Sequence, residues 1–381
     1  MTEKSDKIYG AILAMALGDA LGATVEGFSA NKIANMFGQL REFSQIEVFY
    51  SALKERSDIS ETKKRNLLHR KRPIGVYTDD TQQAILLIES LVETGRADKY
   101  DYARRIIDVI QKTKTKSRPL GVFRGYGEGF KQVVERLMKG ISPDESAIDS
   151  AGNGAAMRIG PVGLFYSGQP EQAALAAVEF SSLTHRDIRA ILSASAVAVA
   201  VSLATELTSI QSRTKFLKEI ISCLKKIALP NIIHNQKKFT GHFFKSADIL
   251  IEHLPDSYEI AATKISKYAS KITKRQLTAE SPFCLCSVMM SFWHFLHHRE
   301  STEEAIISAV NAGGDADTIS AITGVMIGAL RGRKSIPIHW LNKLRNRRQL
   351  ELRAKAIIEK TTQLDDWQDF SEMEKNICKF S

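Results

Sequence analysis

Apolar residues recur at helical spacing along most of the chain, as in the run Ala84, Ile85, Leu87, Ile88 and Leu91. Apolar positions three and four residues apart form one face of an α-helix. Alternating β-branched runs between glycine turns are nearly absent, so the pattern predicts an all-α protein. The predicted helices cover about 8–21, 80–95, 100–113, 126–139, 171–181, 187–208, 214–227, 257–271, 283–298, 302–311, 318–330 and 339–360.

The order of segments predicts one domain with two additions. Chemically distinctive segments run from residue 18 to residue 318, and no linker rich in Pro, Ser or Gly divides them. Because they can act together only within one domain, we predict a compact single domain over residues 1–360. Residues 39–72 are polar and increasingly basic, which is typical of a surface insertion. Residues 361–381 form a polar C-terminal tail.

Composition narrows the class of protein. With 381 residues, 44% of them hydrophobic, the chain is long enough to bury a large core. Four cysteines are too few for a disulfide framework, and the first residues lack a signal-peptide pattern, so we expect a cytoplasmic protein. The most apolar stretch, Ile188 to Leu203, is short and contains Arg189, which predicts a buried helix rather than a membrane span.

The formal net charge of +10 would attract any anionic partner, including nucleic acid. Much of the excess lies in residues 63–72 and 331–355, outside the motifs described below. Basic runs of this kind are typical of solvated faces, so a nucleic-acid partner is not expected.

Two segments place oxygen-bearing side chains where an apolar helix begins. They are Gly75-Val-Tyr-Thr-Asp-Asp-Thr81 and Gly313-Gly-Asp-Ala-Asp-Thr318. Either one alone could be a helix cap, because Asp and Thr accept hydrogen bonds from free N–H groups. The adjacent carboxylates of Asp79 and Asp80 exceed what a cap needs, so the two segments together indicate a cation site. Carboxylate and hydroxyl oxygens favour Mg²⁺ or Mn²⁺ over zinc, and four aspartates suit two ions.

Three further features accompany these acids. A helix rich in small residues contains Asp19, either a structural acid or a neighbour of the metals, and ends in a turn that presents Glu26. The segment Ala151-Gly-Asn-Gly-Ala-Ala-Met-Arg158 would let backbone N–H groups approach a diphosphate. His185 precedes the Ala-rich helix and could donate a hydrogen bond to a phosphate. Judged on these residues alone, an ordinary tight turn is an equally open interpretation of the glycine segment, and a lone histidine is more often structural.

Five motifs occur in one order: GDALGATVEG, YTDDTQQAIL, GNGAAMR, LTH and NAGGDADTISAITGVMIGAL. Together they resemble the ADP-ribosylglycohydrolase family. The resemblance implies a compact helical fold with a dinuclear Mg²⁺ or Mn²⁺ cleft, and hydrolysis of the bond between ADP-ribose and a protein side chain. The implied metal ligands are Thr78, Asp79, Asp80, Asp315, Asp317 and Thr318. The implied ADP-ribose contacts are Gly152, Asn153, Gly154, Ala155, Met157, Arg158 and His185, and catalysis is assigned to Glu26 and Asp80.

The linkage is less specific than the family. The GATVE and TDDTQ forms resemble arginine-directed bacterial members, so we expect the protein to act on ADP-ribosyl-arginine in modified proteins. We also expect a monomer. Arginine-directed relatives can carry an Asp after the first metal motif, whereas Ser117-Arg-Pro-Leu-Gly121 contains no acid. Serine-linked and O-acetyl substrates therefore stay open. So do hydrolysis of another phosphorylated nucleotide and an inactive protein that binds ADP-ribose.

Overall fold

The structure of the protein is a computed structural model, which describes residues 2–56, 59–69, 71–227 and 237–378. The secondary structure of these residues is helical, which confirms the all-α prediction. Its α-helices are α1 (Glu3–Gly22), α2 (Ala30–Phe37), α3 (Phe43–Ala52), α4 (Glu61–His69), α5 (Asp79–Thr94), α6 (Lys99–Thr113), α7 (Glu128–Met138), α8 (Gly154–Met157), α9 (Gly160–Phe165), α10 (Pro170–Ser181), α11 (Ile188–Ala204), α12 (Arg213–Lys226), α13 (Lys237–His253), α14 (Tyr258–Thr273), α15 (Cys284–His297), α16 (Thr302–Ala312), α17 (Ala316–Arg331), α18 (Ile338–Lys343), α19 (Arg347–Glu359) and α20 (Phe370–Cys378).

Every predicted helix except the last corresponds to one observed helix. The single helix predicted over 339–360 is wrong, because α18 and α19 are separate. Asn346 between them adopts a left-handed conformation with φ of 53°. The Arg345 N–H donates to the Gly75 carbonyl at 3.0 Å, so a long-range contact replaces a helical hydrogen bond. The helices that the pattern missed are α2, α3, α4, α8, α9, α13 and α20.

Helices α1 and α17 form the closest contact of the core. A Cβ on Gly18 would lie 2.2 Å from the Ser320 carbonyl oxygen, and one on Gly324 would lie 2.3 Å from that of Ala14. No side chain fits at such distances, so both positions require glycine. The two helices are antiparallel, and the turn after α1 therefore lies beside the acidic segment that begins α17.

The helix α11 arises from the most apolar stretch of the chain and is buried along nearly its whole length. It packs against α10, α9 and α17. Among the helices that the structure describes, none combines the length and apolarity that crossing a membrane requires.

The two polar additions carry apolar anchors. Residues 39–72 contain α3, a short 3₁₀ turn and α4, and most of their polar side chains are exposed. The buried residues of this segment include Phe43, Ile46, Tyr50, Leu53 and Leu67. The C-terminal segment contains α20, whose Phe370, Met373 and Glu374 side chains are buried. The composition of these two segments is polar overall, but a small number of their residues pack into the core.

Candidate functional site

One cavity of about 330 Å³ opens among the residues that the sequence marked. It lies where the ends of α1, α5 and α17 meet the glycine-rich segment around α8. The marked residues in its lining are Glu26, Asp79, Asp80, Gly152, Asn153, Gly154, Met157, Arg158, His185, Asp315, Asp317 and Thr318. Thr78 and Ala155 are buried and do not line this cavity.

Thr78 begins α5 and positions the first acidic motif. Its side chain accepts a hydrogen bond from the Asp80 N–H at 3.4 Å. Behind it, the fully buried Asp19 carboxylate accepts hydrogen bonds from the N–H groups of Thr78 at 2.8 Å and Thr81 at 3.0 Å. The Thr81 hydroxyl also donates to Asp19, at 2.6 Å. Asp19 thus anchors the motif through hydrogen bonds, which is the structural one of the two roles that the sequence left open.

The second acidic motif is joined to the turn that carries Glu26. The Gly27 N–H donates to the Gly314 carbonyl at 2.6 Å, and the Gly314 N–H donates to the Phe28 carbonyl at 2.8 Å. Gly313 has φ of 78°, and a Cβ there would lie 2.3 Å from the Phe28 oxygen. This glycine pair therefore lets two loops pair closely and brings Glu26 to the same cavity as the aspartates.

The acidic cluster is electrostatically strained. Burial, followed by the charge of Asp19, raises the pKa of Asp79 to about 8. Burial also raises the pKa of Asp315 to about 6, with Glu26 adding to the effect. For Asp80 and Asp317, burial and then the neighbouring carboxylates raise the pKa well above its ordinary value. The group therefore lacks positive charge to balance it.

A divalent cation would supply that charge. The Asp80 Oδ1 atom is buried and accepts no hydrogen bond from the described part of the chain, and its neighbours are hard oxygen donors. Such a donor set suits Mg²⁺ or Mn²⁺. Within the described residues, no group of three or more His, Cys, Asp or Glu side chains is arranged so that it could hold a metal ion without some movement. The two-ion centre therefore stays a prediction.

A chain of hydrogen bonds connects the first acidic motif to His185. Gln83 Nε2 donates to Asp79 Oδ2 at 2.6 Å, and Arg158 Nη1 donates to Gln83 Oε1 at 2.7 Å. Arg158 Nη2 donates to Thr184 Oγ1 at 2.6 Å, and this hydroxyl lies 2.7 Å from His185 Nδ1. Sequence reasoning missed Gln83 and Thr184. Gln83 could have been found, because it lies one helical turn after Asp79 on the same face of α5.

Two members of this hydrogen-bond chain, His185 and Arg158, have defined charge states and partners. Burial, and then the charge of Arg158, lower the pKa of His185 to about 3, so the imidazole is neutral at physiological pH. Arg158, which the sequence marked as a partner for an anion, is buried and already donates to two protein oxygens.

The glycine-rich segment is attached to the second acidic motif. Asn153 Nδ2 donates to Asp315 Oδ2 and, at 3.0 Å, to Ser287 Oγ. The Asn153 N–H donates to the Pro282 carbonyl at 3.0 Å, which fixes the backbone of the segment. The Asn153 amide therefore orients an aspartate. Its expected contact with a ligand hydroxyl stays a prediction.

A second cavity, of about 270 Å³, adjoins the first at Gly125, which lines both. Its described lining contains Arg72, Arg118 and Arg124 and no acidic side chain. Arg72 Nη2 lies 3.6 Å from Glu26 Oε2, so one of these arginines contacts the acid assigned to catalysis. The rim on this side of the acidic cluster is therefore basic.

Comparison with known proteins places the chain in a family. The family model described as ADP-ribosylglycohydrolase matches residues 1–366. ADP-ribosylhydrolase ARH3 of Gallus gallus is 26% identical over 362 residues, covering 88% of this chain and 88% of its own. ADP-ribosyl-[dinitrogen reductase] glycohydrolase of Rhodospirillum rubrum is 26% identical over 349 residues, covering 91% of this chain and 93% of its own.

A solved structure is similar over nearly the whole fold. It is an ADP-ribosylglycohydrolase-related protein complex, with a TM-score of 0.63 and 24% sequence identity. The similarity covers 94% of this chain and 99% of the other. Because the likeness extends over the fold and the family model covers the site, the chain belongs to the ADP-ribosylglycohydrolase family.

Proposed function

We propose that the protein is a metal-dependent hydrolase that removes ADP-ribose from modified protein side chains. One observation carries this proposal: five carboxylates and a glycine-rich segment line the same cavity. The carboxylates are Glu26, Asp79, Asp80, Asp315 and Asp317. A cluster of this kind suits divalent cations beside a sugar, and a glycine-rich backbone whose N–H groups can be approached closely suits a diphosphate.

Two Mg²⁺ or Mn²⁺ ions would be bound by Thr78, Asp79, Asp80, Asp315, Asp317 and Thr318. When bound, such ions orient ribose hydroxyls and make water a better nucleophile. The protein's own part is to keep the carboxylates in place. Asp19 fixes the backbone at Thr78, and Asn153 donates to Asp315.

The distal part of ADP-ribose would lie along Gly152, Gly154 and Met157, with His185 beside it. Thr184 Oγ1 already accepts a hydrogen bond from Arg158, so its own hydrogen is available for His185 Nδ1. A neutral imidazole that accepts at Nδ1 carries its proton at Nε2. We therefore assign His185 Nε2 as a donor to the ligand, a role that needs no change of charge.

Glu26 would transfer the proton. Cleavage of a glycosidic bond passes through an oxocarbenium-like state, in which a carboxylate takes a proton from water or gives one to the leaving group. The Glu26 side chain is 37% exposed and lies at the rim, where water and a leaving group can reach it. The contact with Arg72 orients this carboxylate across the rim.

The basic rim bears on the linkage. The motif forms favour ADP-ribosyl-arginine, but three arginines line the adjoining cavity. Glu26 and Glu374 offset the charges of Arg72 and Arg124, but Arg118 adds positive charge to the lining, which a guanidinium leaving group would meet at a cost in free energy. Serine-linked ADP-ribose has a neutral leaving group, so this lining makes it the second candidate.

The test is a hydrolysis assay on arginine-, serine- and glutamate-linked ADP-ribosyl peptides. We expect free ADP-ribose in the presence of Mg²⁺ or Mn²⁺, loss of the product after chelation, and recovery when the metal is returned. Activity that survives complete chelation would contradict the metal dependence. No release from any of the three linkages would contradict the proposed reaction.

A further inference from the structure

A buried carboxylate near the C-terminus lies behind the first acidic motif. Glu374 belongs to α20 and has no solvent exposure. It accepts hydrogen bonds from the Tyr77 hydroxyl at 2.6 Å and from Gln82 Nε2 at 2.6 Å, and it pairs with Arg124 Nη2 at 2.7 Å. The match to the family model ends at residue 366, so this acid lies outside the matched part. Burying a charge is costly unless it is fully paired, as it is here.

The partners of Glu374 flank the residues that would bind metal. Tyr77 directly precedes Thr78, and Gln82 lies in the first turn of α5. Arg124 Nε donates to the Tyr77 carbonyl at 2.7 Å, and the Arg124 N–H donates to Gln82 Oε1 at 3.1 Å. Two hydrogen bonds therefore hold Arg124 against the start of α5, and its ion pair with Glu374 holds it from the other side.

Arg124 in turn contacts the motif itself. Its carbonyl accepts a hydrogen bond from the Asp79 N–H at 2.9 Å. The next residue, Gly125, lines the catalytic cavity and has φ of 83°. A Cβ on Gly125 would lie 3.1 Å from Thr78 Cβ and 3.4 Å from Asp79 Oδ1, so this backbone lies directly against the motif. A displaced Arg124 would therefore move both the Asp79 backbone and the cavity wall.

We propose that Glu374 is a positioning residue: by fixing Arg124, it sets the geometry in which Asp79 binds a divalent cation. The helix α20 is thus part of the cation site, although it does not touch the cavity. The glycine-rich segment is fixed by separate contacts, those of Asn153 with Ser287 and Asp315, so the direct effect of Glu374 is on cation binding. This inference rests on the proposed function.

The variant Glu374→Gln tests it, because the amide is similar in size, removes the charge that pairs with Arg124 and replaces the oxygen that accepts from Gln82 with a donor. Glu372→Gln is the matched control, an exposed acid on the same helix. Mn²⁺ binding to the metal-free protein is measured by calorimetry, and hydrolysis is measured over a range of Mn²⁺ concentrations. We expect Glu374→Gln to raise the Kd for Mn²⁺ at least tenfold and to recover turnover at high Mn²⁺. The control should match wild type.

A structural role alone predicts a different pattern. Glu374→Gln would then unfold at a lower temperature and keep the wild-type Kd for Mn²⁺, which would overturn the inference. If this variant does not fold, Tyr77→Phe replaces it, since it removes the hydroxyl that donates to Glu374 and helps to orient this carboxylate toward Arg124, as well as the acceptor for Asn346. Tyr77→Phe should raise the Kd about twofold to fivefold, and an unchanged Kd would overturn the inference. A wild-type protein that binds no Mn²⁺ would instead overturn the proposed function.

Discussion

Removing one negative charge from the acidic cluster should stabilise the metal-free protein and remove its activity. We consider Asp79→Asn, because the amide oxygen can still accept the hydrogen bond that Gln83 donates at 2.6 Å. The pKa of Asp79 rises from 3.8 to about 8. Each pKa unit is worth about 1.4 kcal/mol, so ionised Asp79 costs the metal-free fold about 5 kcal/mol at pH 8. A buried amide N–H without a full set of hydrogen-bond partners destabilises the variant by about 1–3 kcal/mol, which reduces this gain.

The net gain is therefore about 2–4 kcal/mol, which for a chain of this length raises the Tm by about 3–5 °C. The gain depends on pH in a defined direction. Because the folded pKa of this acid is raised, the native state binds more protons than the unfolded chain between pH 3.8 and about 8. Wild-type stability without metal thus falls as the pH rises through that window. The advantage of Asp79→Asn should be absent near pH 4 and complete near pH 8.

The assay is thermal unfolding of both proteins with chelator and with Mn²⁺, at pH 4.5 and pH 8, beside hydrolysis. Excess Mn²⁺ at about 100 times its Kd should stabilise wild type by about 2.7 kcal/mol and should not stabilise the variant. The difference between their free energies of unfolding should therefore shrink or change sign. Asp365→Asn, at an exposed acid, is the control. An Asp79→Asn variant less stable than wild type in chelator at pH 8 would refute the reasoning. So would an equal advantage at both pH values.

The variant Glu26→Gln should fold and bind ADP-ribose normally while turnover falls by about 10²-fold or more. If the variant turns over at the wild-type rate, another group transfers the proton. Gly154→Ala should unfold at the wild-type temperature, since a Cβ there would lie 3.5 Å from His185 Cε1, an ordinary contact. It should nevertheless bind ADP-ribose more weakly, and unchanged affinity by calorimetry would disprove this role for the glycine. With a folded pKa of about 3 against 6.5, His185 contributes stability above pH 6.5 that is lost as the pH falls toward 3. Titration of its ring signals by NMR between pH 7 and 4.5 would contradict this.

The acidic residues of the cavity could be predicted from the sequence because they lie in short motifs. Asp79 and Asp80 stand together at a helix start, and Asp315 and Asp317 do the same, so the surplus of acid is visible without a fold. The supporting residues could not be found in this way. Asp19 and Glu374 lie 59 and 297 residues from the groups that they bind, Thr78 and Tyr77. A hydrogen bond over such a separation leaves no local pattern.

The errors in the helix prediction have the same origin. The break between α18 and α19 depends on Gly75, whose Cβ would lie 1.9 Å from the Lys343 carbonyl oxygen. The polar run at 345–349 interrupts the apolar spacing there, but no pattern within 339–360 reveals a contact with residue 75. The buried side of α20 was likewise hidden, since Glu374 looks polar in the sequence and is paired only in the folded chain.

The close contact between α1 and α17 explains why the acidic cluster can persist in a folded protein. Gly22 lies so near the Ala316 carbonyl oxygen that a Cβ there would be 2.4 Å away, so the backbones that lead to Glu26 and Asp317 cannot separate without breaking the core. Carboxylates on such a framework cannot relieve their repulsion by moving apart. Protonation or a cation must do so instead. The glycines that pack this core thus hold the carboxylates in a repulsive arrangement that a metal ion would relieve, which connects the fold directly to the proposed chemistry.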